Sequence, residues 1–137
     1  MRKLDTNGCF PEALAQILEE GLADYVAMDI KNTPEKYART VGIPDFDMAP
    51  IRESIALLKG SGVGFEFRTT VVKELHTGED IQAIGQWLHG SPRYFLQNFE
   101  DSGNLIGAGM HGFSEGEMAK IAEIARLFFG YVGVRGF

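Results

Sequence analysis

The chain has 137 residues, 45% hydrophobic and 23% charged, which suits one globular domain and excludes a disordered tail. Thirteen Lys and Arg against nineteen Asp and Glu leave a net charge of −6, which excludes the basic stripe of a nucleic-acid or anionic-membrane binder. No stretch approaches the roughly 20 apolar residues that span a bilayer, the N-terminus lacks an apolar signal core, and the lone Cys9 excludes an internal disulfide, so a reducing, cytoplasmic compartment is expected.

The pattern then alternates strands with helices. Residues 3–8 form the first strand, and Pro11 suits a first helical position, where a missing N–H is harmless. Leu14, Ile17 and Leu18 make that helix's apolar stripe, and Gly21 provides its left-handed end. Residues 24–30 are the second strand, with the continuous apolar middle of a strand covered on both faces. Residues 34–40 give one or two helical turns, ended by Gly42 and Pro44. Asp47 caps the next helix, which carries Ile51, Ile55 and Leu58 on one side and stops at Gly60-Ser61-Gly62. The third strand, 65–72, is β-branched and aromatic nearly throughout.

Thr77-Gly78-Glu79-Asp80 has the form of a capping box, opening a helix that buries Ile81, Ile84, Gly85 and Leu88. Ser91-Pro92 ends it, and 93–99 is the fourth strand. Residues 100–112 are a glycine-rich loop. Ser114-Glu115-Gly116-Glu117 is a second capping box, before a helix with Met118, Ile121, Ala122, Ala125 and Phe128 inward. Gly130 closes it, and 131–135 makes a final short strand. This order predicts an α/β fold of βαβ units around a mostly parallel sheet, one domain over 1–137.

In parallel α/β folds the site gathers at the carboxyl ends of the strands. Here those ends carry Asp5-Thr6-Asn7, then Asp29 and Lys31, then Arg68 and Thr70, then Gln97 and Asn98. Asp5 and Asp29 on neighbouring strand ends need a cation, an ammonium group or a shared proton between them. Arg68 in an apolar strand needs an anionic partner. Together they suit a zwitterionic, amino-acid-like ligand, its cationic end near the carboxylates and its carboxylate near Lys31 or Arg68. Plainer readings stand beside this one. Asp5 and Asn7 also suit a turn and cap worth about 1 kcal/mol. Asp29 with Lys31 also suits a surface pair, and Arg68 a structural ion pair. Cys9 reads as a half-buried thiol, and His76, His89 and His111 lack metal-ligand spacing and read as structural or solvated. The 107–109 Gly-Ala-Gly follows no strand, so it is no dinucleotide fingerprint.

Leu4-Asp5-Thr6-Asn7-Gly8, Asp24-Tyr25-Val26-Ala27-Met28-Asp29-Ile30-Lys31 and Phe67-Arg68-Thr69-Thr70-Val71-Val72, followed by Leu75-His76-Thr77, resemble successive barrel strands of the radical S-adenosylmethionine activating enzymes. Within these, the chain is most similar to the anaerobic ribonucleoside-triphosphate reductase activating proteins, neighbours of the pyruvate formate-lyase activating enzymes. Phe113-Ser114-Glu115 and Tyr131-Val132-Gly133-Val134-Arg135-Gly136 extend the resemblance to the end of the chain. It implies a partial (β/α) barrel of about four parallel strands with flanking helices, the C-terminal part of a six-stranded barrel. It implies a family that binds a [4Fe–4S] cluster and S-adenosylmethionine, cleaves the latter reductively and abstracts a glycyl hydrogen from a partner enzyme. It places Asp29, Lys31 and Arg68 at the S-adenosylmethionine site, with Asp5, Thr6, Asn7 and Asn98 beside them and a monovalent cation at Asp5, Thr6 and Asp29.

The family's C-x-x-x-C-x-x-C motif is absent, as is its glycine-glycine-glutamate segment. One Cys cannot supply three thiolates, so no cluster is expected in this chain, and it reads as inactive alone with the first two βα units missing. The expected partners are a glycyl-radical enzyme, of the anaerobic ribonucleotide reductase or pyruvate formate-lyase type, and further copies of the chain covering the open barrel edge. The alternative is a non-catalytic α/β ligand-binding or partner-docking module.

Overall fold

The computed structural model describes residues 2–100 and 109–136; most of the glycine-rich loop expected over 100–112 lies outside them. Five strands form one sheet: β1 (Lys3–Thr6), β2 (Tyr25–Asp29), β3 (Gly64–Val71), β4 (Arg93–Asn98) and β5 (Tyr131–Arg135). All four pairings are parallel, and each strand lies beside its predecessor. The final short strand joins the sheet, so the expected four strands become five. Between them run α1 (Pro11–Glu19), α2 (Tyr37–Val41, after a 3-10 turn at Pro34–Lys36), α3 (Ala49–Gly60), α4 (Gly78–Trp87) and α5 (Glu115–Ala125).

Parallel crossovers are almost always right-handed. When such connections join strands in strict sequential order, every helix falls on the same face, as in a (β/α) barrel. The strand side chains agree. Val26 and Met28, Phe65, Phe67 and Val71, Tyr94 and Leu96, and Val132 are buried in the core under the helices. Period-two alternation sends Asp5, Tyr25, Asp29, Glu66, Arg68, Thr70, Arg93, Phe95, Gln97 and Arg135 to the other face. Among the described residues that face is mostly polar and carries no helix.

Local signals account for the helix ends. Thr77 Oγ1 accepts from the Asp80 amide at 3.2 Å, and an Asp80 carboxylate oxygen accepts from the Thr77 amide at 2.9 Å. Ser114 and Glu117 close the same reciprocal pair. Asp47 bonds the Ala49 amide at 3.0 Å where α3 begins. One inward residue differs from expectation. Helix α5 ends at Ala125, and the turn that follows makes Phe129 the core residue, stacked on Tyr94 with ring centroids 4.5 Å apart. Phe128 is half-buried and lies over Gly85, where any Cβ would collide with its ring.

Candidate functional site

The carboxyl ends of β1, β2 and β3 bring four of the expected residues together. Arg68 Nε donates to Asp29 Oδ1 at 2.6 Å, and its Nη1 reaches Asp5 Oδ1 at 3.4 Å. Lys31 Nζ lies 3.6 Å from the other Asp29 oxygen. The register explains the meeting: Asp29 pairs with Arg68 across β2 and β3, and Asp5 pairs with Ala27, two residues before Asp29. Burial pulls the Arg68 guanidinium down, but Asp29 and then Asp5 outweigh it and raise its pKa above the ordinary value. The guanidinium thus stands between the two carboxylates. Partly exposed pairs of this kind contribute about 0–1 kcal/mol each. Their importance is positional: they hold charged groups at fixed points on an open face.

Thr6 and Asn7 act locally. Thr6 Oγ1 accepts from the Gly8 amide at 3.1 Å, and Asn7 Oδ1 accepts from the Cys9 amide at 2.9 Å. Both side chains shape the turn into α1. Asn98 lies outside the group. Its amide nitrogen donates to the Phe113 carbonyl and its oxygen accepts from the Phe113 amide, each at 2.8 Å, and it is buried on the helix side. Gln97, one residue earlier, faces the cleft instead.

That cleft has a volume of about 270 Å³ and is lined by Asp29, Arg68, Thr70, Phe95, Gln97 and Arg135. Phe95, Gln97 and Arg135 are partners across β4 and β5, in the register Phe95 with Gly133 and Gln97 with Arg135. The Phe95 ring covers Gly133, where a Cβ would overlap it. The Arg135 guanidinium lies over the same ring, 4.1 Å from its centroid. Below them Glu66 is buried at 3% exposure, and its Oε2 has no hydrogen-bond partner among the described residues. Tyr25 is near it, its phenol pushed up by burial and then by Glu66.

Lys31 is pinned from behind. Its amide donates to the Tyr37 hydroxyl at 3.1 Å, and its carbonyl lies 2.8 Å from His76 Nε2. His76 Nδ1 accepts from the Val72 amide at 3.0 Å, so Nε2 carries the proton and bonds the Lys31 carbonyl. Asn32 donates to the Leu75 carbonyl at 2.9 Å and Thr69 Oγ1 to the Ile30 carbonyl at 2.7 Å. The segment after β2 is therefore tied to the end of β3 and the loop after it. His76 reads from the sequence as structural or solvated and is structural, but its partners, like the roles of Glu66 and Arg135, escaped sequence reasoning because they lie far off in the chain.

Metal chemistry finds few ligands here. Cys9 is half-buried against the core, its sulfur 3.9 Å from the Asn7 carbonyl. Among the described residues no three His, Cys, Asp or Glu side chains gather to hold a metal ion. The donor set does not fit an iron–sulfur cluster. The cleft instead offers one carboxylate, two guanidinium groups and an aromatic face. Among the described residues no helix is long and apolar enough to cross a membrane.

No family model matches the chain. It is 31% identical, over 97% of its length, to a Methanocaldococcus jannaschii protein provisionally described as a glycyl-radical enzyme activating enzyme, and it spans 58% of that protein. The solved structure of a domain of pyruvate-formate lyase-activating enzyme from Bacteroides vulgatus superposes with a TM-score of 0.74 at 14% identity, covering 99% of this chain and 81% of that one. The first likeness relates the chain to part of an activating enzyme, as its strand-end motifs implied. The second shows the fold: parallel strands in one α/β sheet with flanking helices.

Proposed function

We propose that this chain is the ligand-holding, C-terminal part of a radical S-adenosylmethionine activating enzyme that serves a glycyl-radical enzyme. The observation that carries this is the Asp5–Arg68–Asp29–Lys31 cluster at the carboxyl ends of successive parallel strands, in a chain similar to an activating enzyme over nearly its whole length. In this reading Asp29, Lys31 and Arg68 hold and orient S-adenosylmethionine, with Asp5 as the outer carboxylate. The ligand's ammonium group meets Asp5 and Asp29, and its adenosine extends over the polar face. When bound, the family's cluster supplies the electron for reductive cleavage. This chain's donors do not hold it, so the chain is inactive alone. The partner is a glycyl-radical enzyme, of the ribonucleotide reductase or pyruvate formate-lyase type. The lone Cys9 also favours a second reading, a ligand-binding or docking module without catalysis.

Calorimetric titration of the iron-free chain with S-adenosylmethionine tests the binding. Saturable binding is expected, weakened about tenfold or more in Asp29→Asn, which loses a charge-assisted contact. Absence of binding in a folded wild-type chain, or binding unchanged by Asp29→Asn, would contradict the proposal.

A further inference from the structure

The charges around the cleft do not cancel evenly. On the β1–β3 side, the carboxylates of Asp5 and Asp29 are offset by Arg68 and Lys31. On the β4–β5 side, Arg135 has no carboxylate partner among the described residues. Its guanidinium face is spent on the Phe95 ring at 4.1 Å. Stacking uses the face of the group and leaves its N–H edges available.

Thr70, Gln97 and Arg135 stand in one row across three adjacent strands, by the pairings Thr70 with Gln97 and Gln97 with Arg135. All three line the same cleft. The Thr70 hydroxyl is exposed and accepts or donates as required. Gln97 uses one amide hydrogen on the Asn98 carbonyl at 3.3 Å and keeps its oxygen and a second hydrogen.

From this row we infer that Arg135, Gln97 and Thr70 form an oxyanion subsite, taking the carboxylate or phosphate group of a small molecule bound in the cleft. Arg68 is the cation that residue type alone suggests for this task, but two of its five N–H groups already bond the carboxylates of Asp29 and Asp5, which offset its charge. A guanidinium edge with two neutral donors beside it matches the coplanar oxygens of a carboxylate or two oxygens of a phosphate. The Phe95 ring holds that edge in place, and Gly133 lets the ring lie flat. The inference rests on the charges and hydrogen-bonding groups of the cleft, so it stands whether or not S-adenosylmethionine is the ligand.

The test follows the amide and side-chain NMR signals of the full chain during titration with sodium acetate and, separately, inorganic phosphate. Chloride holds the ionic strength constant. Saturable shifts are expected at Thr70, Gln97 and Arg135. Arg135→Gln weakens them about tenfold or more, the usual effect of losing one charge-assisted bidentate contact. Arg135→Lys keeps the charge and retains saturable binding, and Arg39→Gln, on the exposed side of α2, leaves binding unchanged. Displacement of acetate by methionine but not by methioninamide places the oxyanion on an amino acid; phosphate binding the more tightly places it on a phosphorylated ligand. Shifts that rise linearly without saturation, that centre elsewhere, or that persist undiminished in a folded Arg135→Gln chain overturn the assignment.

Discussion

His76 shows how one buried side chain sets the position of another that faces solvent. At 2% exposure it bridges the Val72 amide and the Lys31 carbonyl, residues on separate strand ends. His76→Ala leaves both groups without this partner, a loss of about 1–3 kcal/mol for a buried donor. Burial also pulls the imidazole pKa below its ordinary 6.5, against smaller upward pulls from its backbone partners and Asp80. The protonated ring cannot accept from Val72. Below pH 6.5 the unfolded chain therefore takes up a proton that the folded chain resists. The stability held by neutral His76 is complete above pH 6.5 and is lost as pH falls from that value toward the lower folded pKa. Urea midpoints measured from about pH 7.5 to about pH 5.5 are expected to drop in the wild type and to flatten in His76→Ala. An equal drop in both would assign the effect to other groups.

Gly133 seats the Phe95 ring. Its missing Cβ is the space into which Phe95 lies. Gly133→Ala is expected to lift that ring, to unseat Arg135 and to cost about 1–3 kcal/mol, as overpacking does. Thermal unfolding and the Arg135 side-chain NMR signal check both effects. An unmoved Arg135 signal would show that the ring is not what holds the guanidinium.

At the scale of elements, helix α4 is fixed at its start by Thr77 and Asp80. Asp80 also accepts from Lys36 Nζ at 2.9 Å, joining α4 to the turn before α2. Burial pushes the Asp80 carboxyl up, but Lys36 and Thr77 outweigh it and hold it below the ordinary carboxylate value. Thr77→Ala removes only the cap and is expected to cost about 1 kcal/mol. Asp80→Ala removes the cap's return bond and the tie to Lys36, so its loss of stability by urea unfolding should exceed that of Thr77→Ala. A smaller loss would show that the Lys36 tie is idle.

Both capping boxes and the strand alternation are local patterns, and residues 65–72 and 131–135 became strands within a residue of expectation. Asn98 and Gln97 were both visible as polar residues at a strand end. Period two separates them: Tyr94 and Leu96 are core residues, and Asn98 shares their parity, so only Gln97 reaches the cleft. Arg135 was hidden because its neighbour Gln97 is set by the register between β4 and β5. The bond from His76 to Lys31 joins residues 45 apart, and nothing in either local sequence marks it.

For the whole molecule, sequential strand order has a consequence at the edges. β1 pairs only with β2, and β5 only with β4, among the described residues. Each outer strand leaves backbone groups to be paired, and unpaired parallel edges invite association. Tyr131, on β5, is 57% exposed, and Leu127 before it is 77% exposed. The chain alone is expected to cover these edges with further copies of itself. Sedimentation at micromolar concentration is expected to show a dimer or larger species, and a clean monomer would count against it. The similar activating enzyme is longer than this chain, which spans 58% of it.

The proposed function divides the ligand-holding part from the cluster-holding part. Anaerobic iron–sulfur reconstitution of this chain, followed by iron and sulfide counting, tests it directly. With Cys9 as the only thiol, no stoichiometric cluster should form, because a site-differentiated cluster needs three protein thiolates. Four irons and four sulfides bound per chain would contradict this division and restore the case for an active enzyme.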